Sequence, residues 1–274
     1  MPIMKHGDIE INYIMEGKGE GAPLVLVHGF GTKLQGWNFQ IPYFSERMPV
    51  IALDNRGTGK SSRPDYPYTM DMFVKDIKNL LDFLGIKEKI HLCGISMGGM
   101  IVQHFSLKYP EKLKTLILCA TGAWLDTKAM IDGLRSMEEE HLSPEEKIIE
   151  MLPFVHSRPF SRKLKADKEF FNSLKDDTIF ITPVRDQTRL QDYMNQAAAI
   201  DNSDTRETVS DIKTPTLILV GNRDRLVPSH NSEFLCEQIP NSRLEILKGL
   251  GHGLTIESPD EVNSLMWNFI KEHD

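Results

Sequence analysis

Lys89-Ile90-His91-Leu92-Cys93-Gly94-Ile95-Ser96-Met97-Gly98-Gly99-Met100 is the stretch that orders the rest of the chain. Residues 89–93 are apolar on both parities, as in a strand buried on both faces. Residues 97–108 carry helical spacing that Pro110 halts. The Gly-x-Ser-x-Gly between them sits where a strand turns directly into a helix. A serine at such a turn is held in a strained backbone conformation, and the residues two away on either side must be nearly without side chain. Gly94 and Gly98 meet that demand, and Gly99 adds clearance. Ser96 Oγ is then lifted clear of the sheet at a helix N-terminus, where a developing anion is favoured. Gly-x-Ser-x-Gly also occurs in ordinary glycine-rich loops; its place at a strand-to-helix junction is what gives it weight.

Outward from this point, 22–27, 49–53 and 115–119 read as further buried strands, and 71–84 as a helix. Residues 215–220 and 243–247 are strand-like, and 259–271 is helical, with Ser258 as N-cap, Pro259 in the first turn and Glu261 completing a capping box. Strand–helix alternation calls for an α/β fold, a parallel sheet with helices on both faces. Residues 8–15 alternate like an exposed antiparallel edge. The middle is different: Ser143-Pro144-Glu145-Glu146 opens a helix over 147–152, and 162–174 and 186–200 are helical with no strand between them. Residues 122–205 are therefore expected to be a helical insertion, with 1–121 and 206–274 forming the core. Glycine follows the same division: 13 of 19 precede residue 122, and none lies between Leu134 and Val220.

The 274 residues hold 32 basic and 39 acidic side chains, a net charge of −7, with 40% hydrophobic residues. That balance disfavours nucleic acid as a partner. The apolar runs are far too short to span a membrane, and the first twenty residues lack the apolar core of a signal peptide. Cys93, Cys119 and Cys236 are an odd number, two of them within apolar runs, which suits reduced structural thiols and a cytoplasmic location.

A serine needs a base, and the base an orienting carboxylate. His252, in Gly249-Leu250-Gly251-His252-Gly253, follows strand 243–247. Asp224, in Gly221-Asn222-Arg223-Asp224, follows strand 215–220; Asp126, after strand 115–119, is its competitor. The order Ser96, Asp224, His252, each at a strand's C-terminal end, is the one this architecture requires. An attacked carbonyl also needs two donors for its oxyanion. The Met97 N–H follows the nucleophile, and Phe30, between Gly29 and Gly31, supplies the other N–H and a ring for the acyl pocket. His28 precedes that turn and reads as a brace for the loop. His104 and His141, on helices, read as structural. Gly59-Lys60-Ser61 ends like a phosphate loop, but Asp54 stands where the loop needs glycine. No metal-ligand spacing is present, so a mechanism without metal or other cofactor is expected.

Together the His28-Gly29-Phe30-Gly31 loop, the turn Asp54-Asn55-Arg56-Gly57-Thr58-Gly59-Lys60-Ser61, the elbow, the Gly-Asn-Arg-Asp loop and the Gly-His…Glu257-Ser258-Pro259 ending resemble α/β-hydrolase-fold serine hydrolases. The resemblance covers nearly all of the chain outside the insertion. It implies a mostly parallel eight-stranded sheet with a helical cap over the site, and a small-molecule ester or lactone as substrate. The expected activity is a serine carboxylesterase acting on short- to medium-chain esters. His252 must be neutral to act as base, so activity is expected to fall towards acid pH. Serine at 96 departs from the haloalkane dehalogenases and epoxide hydrolases, which use aspartate there. Gly253 departs from the Gly-His-Trp of C–C bond hydrolases. The elbow also resembles 3-oxoadipate enol-lactonases, so a lactone is the main rival; perhydrolase activity and a non-catalytic ligand-binding member of the fold are the others. Met130, Met151 and Phe154, with Met137, Phe160, Phe171 and Met194, are candidates to line the substrate pocket. The same side chains equally suit packing between cap and core.

Overall fold

A computed structural model of the chain describes residues 1–17, 19–175 and 189–274. Its eight strands are β1 (Ile3–His6), β2 (Ile9–Glu16), β3 (Leu24–Val27), β4 (Val50–Leu53), β5 (Ile90–Ile95), β6 (Leu113–Cys119), β7 (Thr216–Gly221) and β8 (Ser242–Leu247), joined in one sheet of order β1-β2-β4-β3-β5-β6-β7-β8. β2 runs antiparallel to both its neighbours; from β4 to β8 every pairing is parallel. Residues 8–15, expected at an exposed edge, are the second strand instead. The four residues of β1 pair with Ile9–Asn12, and Ile11, Asn12 and Tyr13 are buried.

The described helices are α1 (Gln40–Ser45), α2 (Met70–Phe83), α3 (Met97–Lys108), α4 (Lys128–Glu139), α5 (Pro144–Val155), α6 (Arg158–Ala166), α7 (Lys168–Lys175), α8 (Leu190–Asp201), α9 (His230–Gln238), α10 (Leu254–Glu257) and α11 (Pro259–Glu272). Successive strand residues point to opposite faces, so β3 divides its side chains between two cores. Val25 and Val27 join Phe73 and Ile77 of α2 and Ile101 and Phe105 of α3. Leu24 and Leu26 join Phe44 of α1 with Val262 and Met266 of α11. Helices α4 and α8 share the first of these cores through Ile131, Leu134, Tyr193 and Ile200. Helices α5–α7 build a separate cluster around Ile148, Leu152, Leu164 and Phe171, which meets the rest of the molecule at Ile256 of α10.

The expected capping box at Ser143 is present. The one at Ser258 is not: its hydroxyl donates to the Glu261 carboxylate (3.1 Å) and no side-chain cap bond to the backbone forms. Residues 162–174 are two helices rather than one. The chain breaks at Asp167, whose Oδ1 accepts the Phe170 N–H (2.9 Å) and so starts α7. Of the expected helix 186–200, residues 186–188 lie outside the described residues.

β4 pairs on one side of β3 and β5 on the other. The loops that leave the C-terminal ends of β3 and β5 therefore diverge, opening the crevice where open α/β sheets bind ligands. The 28–31 loop and Ser96 stand on its two sides.

Candidate active site

β5 runs to Ile95 and α3 begins at Met97, so Ser96 alone makes the turn, with φ of 56° and ψ of −124°. A non-glycine residue keeps such a φ only where its surroundings over-determine it. Here the Ser96 N–H donates to Cys119 O (2.9 Å), and Ser96 O accepts from Thr121 Oγ1 (2.8 Å). A Cβ at Gly94 would stand 2.3 Å from Gly98 O, and one at Gly98 would stand 2.2 Å from Val27 O. The two glycines are thus steric requirements of the turn.

His252 lies in the loop between β8 and α10, and its Nδ1–H donates to Asp224 Oδ2 (2.8 Å), both side chains being buried. The second carboxylate oxygen of Asp224 accepts the Leu226 and Val227 N–H groups (2.9 and 2.8 Å), which locks the acid into the loop after β7. His252 Nε2 is left as the nitrogen available for proton transfer. The competing acid, Asp126, is exposed and its Oδ1 accepts the Lys128 N–H (2.7 Å) ahead of α4. Asp224, and not Asp126, holds the His252 ring.

Ser96, His252, Phe30 and Met130 line one cavity of about 60 Å³, together with His28 and Thr255. Ser96, Phe30, Met97, Met130, Met151 and Phe154 line a second, of about 490 Å³. Every proposed site residue thus reaches one cavity or the other, apart from Asp224 behind His252. Met137 also lines the larger one. Phe160 and Phe171 instead pack in the α5–α7 cluster, and Met194 places its sulfur beside Arg135 (3.9 Å).

The 28–31 loop is braced from three directions. Gln196 of α8, fully buried, accepts the Gly31 N–H at Oε1 and donates from Nε2 to Arg56 O (both 2.8 Å). Asn55 Nδ2 donates to His28 O (2.8 Å). Asp54 accepts from Leu34 N–H, Asn12 Nδ2 and Lys60 N–H (2.7, 2.7 and 2.9 Å), and Arg56 forms two 2.7 Å bonds to buried Asp76. The turn 54–61, which resembles a phosphate loop only at its end, is therefore a support for the 28–31 loop. His28 Nδ1 accepts the Gly29 N–H (2.8 Å) and its ring meets the edge of Trp37. Burial first, then the charge of His252, lowers the His28 pKa to about 3. His28 is therefore neutral and holds the loop.

A family model described as the alpha/beta hydrolase fold matches residues 22–259. The chain belongs to the α/β-hydrolase fold family. This α/β-hydrolase is 30% identical over 258 residues to 3-oxoadipate enol-lactonase 2 of Acinetobacter baylyi, a match covering 93% of this chain and 91% of the relative. It is 31% identical over 274 residues to the 2-hydroxy-6-oxononadienedioate/2-hydroxy-6-oxononatrienedioate hydrolase of Escherichia coli (93% and 88%). Among solved structures, a thermophilic esterase from Thermogutta terrifontis superposes with a TM-score of 0.80 at 26% identity, covering 97% of this chain and 95% of that one.

One further contact in this α/β-hydrolase joins the helices of 122–205 to the His252 loop. Glu257 Oε1 accepts from His156 Nδ1 (3.2 Å), from Ser157 N–H (2.9 Å) and from Gly251 N–H (3.2 Å), while the Gly253 N–H donates to Val155 O (2.8 Å). A Cβ at Gly253 would stand 2.5 Å from the His156 ring, so this residue is glycine to let α5 end against the His252 loop. Burial opposes ionisation of Glu257, but the His156 bond and charge and the Ser157 bonds outweigh it and hold its pKa below the usual value. Neither His156 nor Gln196 announces itself in the sequence. Gln196 comes from a helical stretch and His156 from the break between α5 and α6, and their partners lie 165 and 101 residues away.

Proposed function

We propose that this α/β-hydrolase cleaves carboxylic esters of short- to medium-chain acids through an acyl-enzyme on Ser96. The observation that carries the reading is that Ser96 and His252 line one cavity while Asp224 holds His252 Nδ1 at 2.8 Å. His252 Nε2 takes the Ser96 proton as Oγ attacks the carbonyl carbon, and Asp224 stabilises the imidazolium that results. The Phe30 and Met97 N–H groups, which have no acceptor in the loops and turns of the described residues, receive the oxyanion. Loss of one such donor typically costs about 3–4 kcal/mol of transition-state stabilisation. The alkoxide leaves with the proton from His252, and water, activated by the same nitrogen, releases the acid.

Lactone hydrolysis is the second reading, supported by the relative named an enol-lactonase that aligns with 93% of this chain. It uses the same residues and differs in substrate shape. Kinetics on methyl esters from acetate to decanoate, run beside 3-oxoadipate enol-lactone, separate the two. The ester reading expects turnover across several chain lengths; hydrolysis confined to the lactone overturns it.

A further inference from the structure

Two cavities meet at Ser96, and the chemistry of the step assigns each a different half of the ester. We infer that the cavity of about 60 Å³ receives the alcohol and that of about 490 Å³ the acyl chain. The preferred substrates are then small-alcohol esters of larger apolar acids. The inference rests on the ester-hydrolase reading above.

His252 lines only the smaller cavity, with Gly253, Thr255, Val155 and Ile256 as neighbours. Met97 lines only the larger, and Ser96, Phe30, Met130 and Leu226 line both. In acylation the Ser96 Oγ–carbonyl bond forms and the carbonyl–alkoxy C–O bond breaks. The departing oxygen takes the proton that His252 Nε2 received from Ser96. That oxygen must lie within hydrogen-bond reach of Nε2, which puts the leaving group on the His252 side. The carbonyl oxygen must face the Met97 and Phe30 amides, and the acyl chain takes the remaining direction, past Met97.

The volumes agree. At roughly 10–15 Å³ for each water-sized occupant, the smaller cavity holds an alkoxy group of only a few heavy atoms. The larger lies in the range of small-molecule pockets, and Met137, Met151, Phe154 and Ile200, which line it alone, give it an apolar wall.

Methyl octanoate and heptyl acetate are isomers with the two halves exchanged. The expected kcat/KM ratio favours methyl octanoate by about tenfold or more, since even one misplaced methylene in a fitted pocket is worth about that much. Val155→Ala, which widens the smaller cavity, is expected to raise butyl octanoate relative to methyl octanoate. Met151→Ala is expected to alter the acyl series and leave the alcohol preference as it was. If heptyl acetate is cleaved as well as or better than its isomer, the division is overturned while the ester reading stands. If neither ester is cleaved and a fluorophosphonate does not label Ser96, the ester reading fails and this inference with it.

Discussion

Ser96 holds a φ of 56° between a strand and a helix, and Gly98 makes that possible by leaving Val27 O unobstructed. Gly98→Ala forces a Cβ to within 2.2 Å of that carbonyl, so the turn must open. The expected cost is about 1–3 kcal/mol of stability, the usual range for overpacking. Chemical denaturation checks it, with ester hydrolysis lost even where the protein stays folded. Gln196 acts at longer range. With Gln196→Ala the Gly31 N–H loses its acceptor and the Phe30 amide its fixed aim. A donor misplaced by about 1 Å costs up to about 100-fold, so kcat is expected to fall tenfold to a hundredfold, approximately, with KM little changed. Gln196→Glu, which keeps the acceptor for Gly31, is expected to recover part of the loss. A Gln196→Ala enzyme whose KM alone changed would falsify the positioning role.

Among elements, the strands and the loops that follow them are what the sequence makes legible. Ser96, Asp224, His252 and Phe30 each stand within a few residues of a strand end, in short glycine-bearing loops, and such loops have few geometries available. The strand pattern also places β3 to β7, because a strand buried on both faces is apolar at most positions. The helices of 122–205 are legible as helices but not in their breaks or partners. Asp167 splits an apparently continuous periodicity by capping α7, and nothing local distinguishes it from any other surface aspartate. β1 escapes notice because four residues with one buried side chain carry no pattern. The clasp at Glu257 joins two stretches that only packing brings together, and it suggests a test. Glu257→Gln keeps an acceptor for Ser157 and Gly251 but gives up the negative charge beside His156. Hydrogen bonds to charged groups are worth about 1.5–3 kcal/mol, so a loss of that order is expected in thermal or urea unfolding. Amide exchange is expected to quicken at the α5–α6 junction first; an unchanged exchange pattern would refute the clasp.

For the molecule as a whole, buried histidines contribute to the loss of stability towards acid pH. His28 is lowered from the usual 6.5 to about 3 by burial and by the nearby His252 charge. Below about pH 6.5 the unfolded chain binds a proton at this site that the folded chain does not bind until about pH 3. Stability present above 6.5 is therefore lost progressively as pH falls towards 3. Melting temperatures measured from pH 7 to 4 are expected to drop over that window. They should drop less steeply in His28→Asn, which keeps an acceptor for the Gly29 N–H; His91, lowered to about 4 by burial, leaves a residual slope. Parallel curves for the two proteins would show that His28 does not contribute to this dependence.

Ser96, activated by His252 and Asp224, is expected to be the nucleophile. Incubating the native protein with a fluorophosphonate and following intact mass, then mapping the adduct, tests it most directly. A single adduct is expected on the peptide that carries Ser96, absent in Ser96→Ala and slower to form in Asp224→Asn. No adduct on native protein, or equal labelling of Ser96→Ala, would contradict it.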